Sequence, residues 1–240
     1  MSGFGALPGS GPRIRGHELL DEPEISTTAL RLALGNVERA NRYIGGIRSL
    51  KRHIAPFTVG RGTLSLLDVG VGNGAVPRRI ATWLASTGTR LRWVGVDLHP
   101  RALQVARLEA LAEDSTSGLV QADARALPFA NGSFDLSTAT LTLHHFDDAD
   151  CVTVLSEMAR VSRSGVIVSD LERHPLHYLG ARFLAETWWR GDPVTRHDAP
   201  VSVLRSFTPS ELGALARRVP LGSPRVRRHF PFRLVLEGHP

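Results

Sequence analysis

The run Leu66-Leu67-Asp68-Val69-Gly70-Val71-Gly72-Asn73-Gly74 constrains the fold more than any other part of this chain. An apolar stretch ends at an acid, and three glycines follow at alternate positions. This reads as a buried parallel strand and a tight turn into a helix starting near Ala75. Glycine permits φ > 0 and lets a ligand approach the main chain. The spacing is Asp-x-Gly-x-Gly-x-Gly, not the Gly-x-Gly-x-x-Gly that seats a dinucleotide pyrophosphate on a helix N-terminus. A carboxylate inside the turn, from Asp68, repels a pyrophosphate and suits a cationic or amine-bearing ligand. An NAD-dependent dehydrogenase is disfavoured on that ground.

Two further strand-like runs also end in acids. Leu91 to Asp97 follows Gly74 by enough residues for one crossover helix, about Ala75 to Ser86. A carboxylate at that strand end can accept hydrogen bonds from both hydroxyls of a ribose. The alternative, a cap for a helix beginning near Pro100, places Asp97 too early. Leu119 to Asp123 is the third run. Asp123 suits an adenine amino group, with the Ala124 N–H facing a ring nitrogen; a turn-forming Asp is the plain alternative. Ser133 to Ala139 reads as a fourth strand and leads into Leu141-Thr142-Leu143-His144-His145-Phe146.

Taken in order, LLDVGVGNG (66–74), VGVDLHP (94–100), ADARALPFANGSFD (122–135) and TLTLHHF (140–146) resemble the class I S-adenosylmethionine (SAM)-dependent methyltransferases. The small-molecule subfamily that includes the ubiquinone/menaquinone C-methyltransferases is the nearest in pattern. The resemblance is strong over about residues 60–170. It implies an α/β, Rossmann-like, seven-stranded, mostly parallel sheet with helices on both faces and an antiparallel C-terminal strand. It implies SAM as cofactor, with Asp68, Gly70, Gly72 and Gly74 around the methionine part. Asp97 and Leu98 would lie at the ribose, Asp123 and Ala124 at the adenine, and Thr140 to His144 near the sulfonium. Over nearly the whole length, including the ending RVRRHFPFRLVLEG, the chain also resembles bacterial methyltransferases found with polyketide-forming enzymes. That likeness implies a phenolic or pyrone-like polyketide-type acceptor, methylated on oxygen. C-methylation of a quinone-like ring is the nearest alternative, and SAM binding without transfer is another.

Composition bounds the setting. At 240 residues and 42% hydrophobic, the chain matches one α/β domain with additions. Nothing resembles a membrane span or a signal peptide, and Cys151 is the only cysteine, so a cytoplasmic location is the default. The formal charge is +6, carried almost wholly by arginine, because Lys51 is the only lysine. The basic clusters are short and no nucleic-acid-binding motif is present, so no nucleic-acid partner is expected. A solvated basic face or peripheral contact with acidic lipid explains them equally well. The oligomeric state is unreadable.

The chain divides into residues 1–60 and 61–240. Residues 1–16 are rich in glycine and proline and read as flexible. Residues 27–56 carry apolar positions at helical spacing, broken at Gly45-Gly46, and are expected to lie over the ligand face as a lid. Asn41, Arg42 and Tyr43 are candidates to face the site. Beyond the fifth strand, at 165–170, a helix is expected over 175–190, burying Leu176, Leu179, Phe183, Leu184 and Trp188. Residues 190–205 read as an inserted loop. Thr208-Pro209-Ser210-Glu211 opens a last helix with a capping box, and two strands follow, near 225–229 and 232–237.

Histidine is the side chain best suited to accept a proton near neutral pH. His145, after the fourth strand, and His197 with Asp198, in the expected loop, are the catalytic candidates. Asp198 would orient and charge-stabilise a histidine. Asp170 would bind substrate or cap the next helix. His174 and His177 stand three apart near a helix start, but no third ligand completes a metal site, and no metal is expected.

Overall fold

The computed structural model describes residues 9–112 and 117–240. The glycine- and proline-rich start therefore falls outside the described residues over positions 1–8. Five strands run parallel: β1 (Thr63–Val69), β2 (Arg90–Asp97), β3 (Ser117–Gln121), β4 (Phe134–Thr140) and β5 (Ser162–Leu171). Two more, β6 (Gly222–His229) and β7 (Arg233–His239), form an antiparallel hairpin, and β7 pairs antiparallel with β5. The sheet order is β3-β2-β1-β4-β5-β7-β6. The expected antiparallel C-terminal strand is thus β7, inserted between β5 and β6.

Strand periodicity divides the sheet's apolar residues between two cores. Leu67, Val69, Val166, Val168, Leu234 and Leu236 face one side. There they meet α5 (Asp148–Val161) and α8 (Pro209–Ala216), through residues such as Leu155, Met158 and Leu212. Leu64, Leu66, Leu136, Ile167 and Val235 face the other side. They pack against α2 (Gly46–Ile54) and α3 (Ala75–Ala85), through Leu50, Ile54, Ile80 and Leu84. Each such side chain stabilises the fold by about 1.5–3 kcal/mol. Cys151 is buried on α5, and burial pushes its thiol up to about 12, so it behaves as a core residue.

The crossover helices start where the sequence marks them. α3 follows Gly74, and α4 spans Pro100–Ala112. At α8 the Thr208 hydroxyl accepts from Glu211 N while the Glu211 carboxylate accepts from Thr208 N, a complete capping box. α1 (Thr27–Tyr43) and α2 are separate helices, broken at Gly45-Gly46 as expected. Among the described residues no helix is long and apolar enough to cross a membrane.

Two expectations are corrected beyond β5. Residues 190–205 are not a loop: α7 spans Pro193–Arg205 and runs through Pro200. Asp192 caps it by accepting from Val194 N, with Pro193 at the first helical position. That start signal matches the one at Thr208-Pro209. Pro200 and the polar run from Arg190 to Asp198 mask it in sequence. α6 (Pro175–Glu186) is shorter than expected and packs through other residues. Its buried positions are Ala181 and Ala185, while Leu176, Leu179, Phe183 and, beyond its end, Trp188 are 59–68% exposed. α6 packs against α7, with the small residues Ala181 and Ala185 buried and its larger apolar side chains left largely exposed.

Candidate active site

β1 lies between β2 and β4, so successive crossovers leave it in opposite directions. Such switch points open a crevice at the C-terminal strand ends. Here the crevice is a cavity of about 740 Å³ lined by the turn after β1, Asp97 and Thr140 to Thr142, with α1 and α7 over it. Of the residues singled out in the sequence, Asp68, Gly70, Gly72, Asp97, Leu98, Asp123, Ala124, Thr140, His144, His145 and Asp198 all line it.

The turn is built as its glycines require. Gly70, Gly72 and Gly74 have φ of 71°, 55° and 73°, in the left-handed region. At Gly70 a Cβ would also collide with the Thr142 side chain. Gly70 N and Val71 N both donate to Val96 O, at 2.8 and 2.9 Å, which ties the turn to the end of β2. Gly74 stands outside the cavity, at the N-terminus of α3.

Asp97 spans the turn and the next helix. One carboxylate oxygen accepts from Gly72 N at 2.9 Å and the other from His99 N at 2.9 Å. Asp97 therefore does some of the local capping work, and each oxygen keeps a lone pair for a ligand hydroxyl. Asp68 is buried and accepts from the Thr138 hydroxyl at 2.7 Å. Burial, reinforced by the charge of Asp97 and only partly offset by Thr138, pushes its carboxyl up to about 7. Asp123 is more exposed, and Arg125 grips both of its oxygens at 2.7–3.1 Å. Thr140 buries a hydroxyl with no hydrogen-bond partner among the described residues. Leu141 follows it at φ 55°, a strained conformation for a residue with a Cβ, of the kind found at ligand sites.

His144 and His145 share one short turn after β4, Leu143–His145. The His144 ring meets buried Asp170, Nδ1 to Oδ1 at 2.7 Å, and Asp170 also accepts from His144 N and Leu171 N. Asp170 thus positions His144, rather than binding substrate or capping α6. The His145 Nδ1 meets Asp21 Oδ2 at 2.9 Å. Burial alone would lower the His145 pKa, but the carboxylates of Glu18 and Asp21 outweigh it and hold it at about 9.

Glu18 and Asp21 come from an N-terminal strap that the sequence reading left unassigned. Asp198 holds the strap by accepting from Leu19 N at 2.8 Å and Leu20 N at 2.9 Å. Arg205 donates to Gly16 O at 2.9 Å and His145 O at 2.8 Å, stitching strap to turn. His197 does pair with Asp198, Nδ1 to Oδ1 at 2.7 Å, but its ring is 46% exposed and lines a separate outer depression beside Tyr178 and Arg182. The expected His-Asp pair therefore exists with its histidine on the wrong side of α7. Asp198→Ala would leave two N–H groups without an acceptor and is expected to cost about 1–3 kcal/mol in urea unfolding.

At the far end of the cavity Arg233 is 3% exposed. Its Nη2 donates to Asn41 Oδ1 at 2.9 Å, while Nε and Nη1 have no hydrogen-bond partner among the described residues. Burial lowers its pKa to about 10. Gly46 makes room for this pair, since a Cβ there would stand 2.5 Å from Asn41 Oδ1. Of the expected trio on α1, only Asn41 faces the cavity; Arg42 and Tyr43 are exposed. Trp189 lines the cavity and Trp188 points to solvent. The sequence signal for Arg233 was a lone arginine opening an apolar strand, and for Glu18 and Asp21 an acid on each side of Leu19-Leu20.

A methyltransferase-domain family model matches residues 66–165. A ubiquinone biosynthesis O-methyltransferase of Alkalilimnicola ehrlichii is 33% identical over 159 residues, 65% of this chain and 60% of that protein. A demethylmenaquinone methyltransferase of Thermus thermophilus is 30% identical over 125 residues, 52% of this chain and 54% of that protein. The chain spans between half and three-fifths of the first curated relatives it matches. The fold is shared with a SAM-dependent methyltransferase from Aquifex aeolicus at a TM-score of 0.62 and 12% identity, covering 90% of this chain and 98% of that one. From the acid-and-glycine turn through the strand order to the inserted antiparallel β7, the chain has the fold of the class I SAM-dependent methyltransferases, and over residues 66–165 it is similar to their methyltransferase domain.

Proposed function

We propose that this protein transfers the methyl group of SAM to an acidic oxygen of a small acceptor, of the phenolic or pyrone-like polyketide type. One observation carries the reading: a single cavity joins the Asp68–Asp97 turn to buried Arg233, whose Nε and Nη1 have no hydrogen-bond partner among the described residues. Unsatisfied buried donors are costly, and an acceptor oxygen would satisfy them. In apolar surroundings a guanidinium favours a ligand bound as its anion. Phenols and hydroxypyrones offer such an oxygen.

Methyl transfer is an in-line displacement at a carbon bound to a sulfonium. The protein must align donor and acceptor and keep water out. Asp68 would face the cationic methionine part, with Gly70 and Gly72 giving main-chain access. Asp97 would take the ribose hydroxyls and Leu98 would flank them. Asp123 and Ala124 would border the adenine, and Thr140 and His144 the sulfonium. His145 would approach the acceptor oxygen. His197 has no role in this reading, and Asp198 is a positioning residue. α1 is the lid.

The test uses SAM labelled in its methyl group with phenolic, pyrone and quinone-like acceptors. Label is expected on an acceptor oxygen and is expected to vanish in Asp97→Ala. Arg233→Gln is expected to raise the acceptor KM at least tenfold while leaving the SAM Kd within twofold. Label on a ring carbon would move the reading to C-methylation. Clear SAM binding without transfer to any acceptor would favour a non-catalytic SAM-binding role.

A further inference from the structure

Both histidines after β4 are oriented in the same way. His144 Nδ1 lies 2.7 Å from Asp170 Oδ1, and His145 Nδ1 lies 2.9 Å from Asp21 Oδ2. A carboxylate on Nδ1 orients each ring so that Nε2 faces the gap, where a metal ion can displace any proton it carries. Among the described residues neither Nε2 makes a hydrogen bond, and both approach one carboxylate. His144 Nε2 is 3.7 Å from Glu18 Oε1, and His145 Nε2 is 3.8 Å from Glu18 Oε2. One ligand atom from each of the three residues lies within 4.8 Å of the others. Glu18 is 3% exposed, and its Oε1 is buried with no hydrogen-bond partner among the described residues. Its carboxylate therefore faces two imidazole nitrogens across a gap too wide for hydrogen bonds, with the unsatisfied Oε1 towards His144 and Oε2 towards His145.

We infer that Glu18, His144 and His145 form a binding site for a divalent first-row transition metal ion, open to the cavity. Two imidazole nitrogens and one carboxylate oxygen, with further positions left for solvent or substrate, are a donor set that such ions accept. Ligands about 2.0–2.2 Å from a tetrahedral metal stand roughly 3.3–3.6 Å apart, so closure needs shifts from a few tenths of an ångström up to about an ångström for the widest pair. Asp170 and Asp21 already occupy the outer positions that orient ligating histidines. Charge points the same way. Glu18, Asp21 and Asp170 are opposed by Arg205, 3.5 Å from Glu18 Oε1 and 3.6 Å from Asp21 Oδ2, and by Arg233 at Asp170. Once the proton on His145 is displaced by the metal ion, a net negative charge remains around the gap. Arg205 does not fill it, because its nitrogens are spent on the main-chain oxygens of Gly16, His144 and His145. A cation here would draw an acceptor hydroxyl towards its anion. That role rests on the methyl-transfer reading; the binding does not.

The probe is Co²⁺, titrated into the metal-stripped full chain without SAM and read by its visible absorption, with Zn²⁺ as competitor. One Co²⁺ per chain is expected, displaced by Zn²⁺. Affinity is expected to fall at least tenfold in Glu18→Gln and in His145→Asn, and to be unchanged in His239→Asn, at the opposite end of β7, where the ring meets Ser164 O. Thermal unfolding checks that each variant is folded; should one ligand variant fail to fold, the other decides. Absence of Co²⁺ binding by the folded wild type up to 1 mM would overturn the site. So would binding that survives both substitutions. Because no SAM is present, these outcomes are independent of whether methyl transfer is found.

Discussion

Asp170→Ala is expected to destabilise the protein by about 3–5 kcal/mol, the range for removing one partner of a buried pair. Asp170 is fully buried and accepts from the His144 ring, His144 N and Leu171 N. Removing the carboxylate leaves three donors without an acceptor and deprives Arg233 of a compensating charge. Against a typical total of about 5–15 kcal/mol, the loss is large. Asp170→Asn keeps the shape and one acceptor oxygen, so its loss is expected to be smaller. Urea unfolding of the two variants beside wild type measures this; equal stability of Asp170→Ala and wild type would refute the buried pair. The pH dependence has a definite sign. Burial would raise the Asp170 pKa, but His144 and the hydrogen bonds outweigh it, so the folded pKa is depressed. Its contribution is therefore complete above the unfolded value near 3.8 and is lost as pH falls through the folded value.

SAM affinity is expected to fall about tenfold between pH 8 and pH 6, because the Asp68 carboxyl titrates near 7 in the free protein. A cationic ligand favours the ionised carboxylate, so binding below pH 7 must first expel a proton. Protonation of the free protein then weakens binding, by a factor that approaches about ten per pH unit only well below pH 7. Calorimetry in two buffers of different ionisation enthalpy is expected to detect about half a proton released per SAM bound at pH 7 and nearly one at pH 6. Asp68→Asn is expected to bind weakly at all pH values and to lose this slope. For stability of the free chain the sign is opposite to that of Asp170. A raised carboxyl pKa means the folded state holds the proton more tightly, so Asp68 disfavours the fold as pH rises from about 4 through 7. A flat affinity profile in wild type would show that Asp68 does not face the positive charge.

The glycine turn, the acids at three strand ends and the alternating apolar runs were legible in the sequence. So were the capping box at Thr208 and the break at Gly45-Gly46. Each is encoded within a few residues: a φ only glycine adopts readily, a period of two, a hydroxyl three residues before a glutamate. From them follow the parallel strands, the crossover helices after β1 and β2, and the half of the cavity around Asp68 and Asp97; the seven-stranded order came from the family resemblance. The half around Glu18 and Arg233 was not legible. Glu18 meets His144 and His145 across more than a hundred residues of chain, and Arg233 meets Asn41 across nearly two hundred. Nothing local marks these partners, because their burial and pairing arise only when strap, turn and β7 converge. α6 and His197 failed for a related reason. Apolar spacing predicts a buried face only when the neighbouring element is known, and in α6 the alanines Ala181 and Ala185 are buried while Leu176, Leu179 and Phe183 are exposed. Which side of α7 carries Asp198 into the cavity and His197 out of it was decided by helix packing, where a single step along the helix turns a side chain by about 100°.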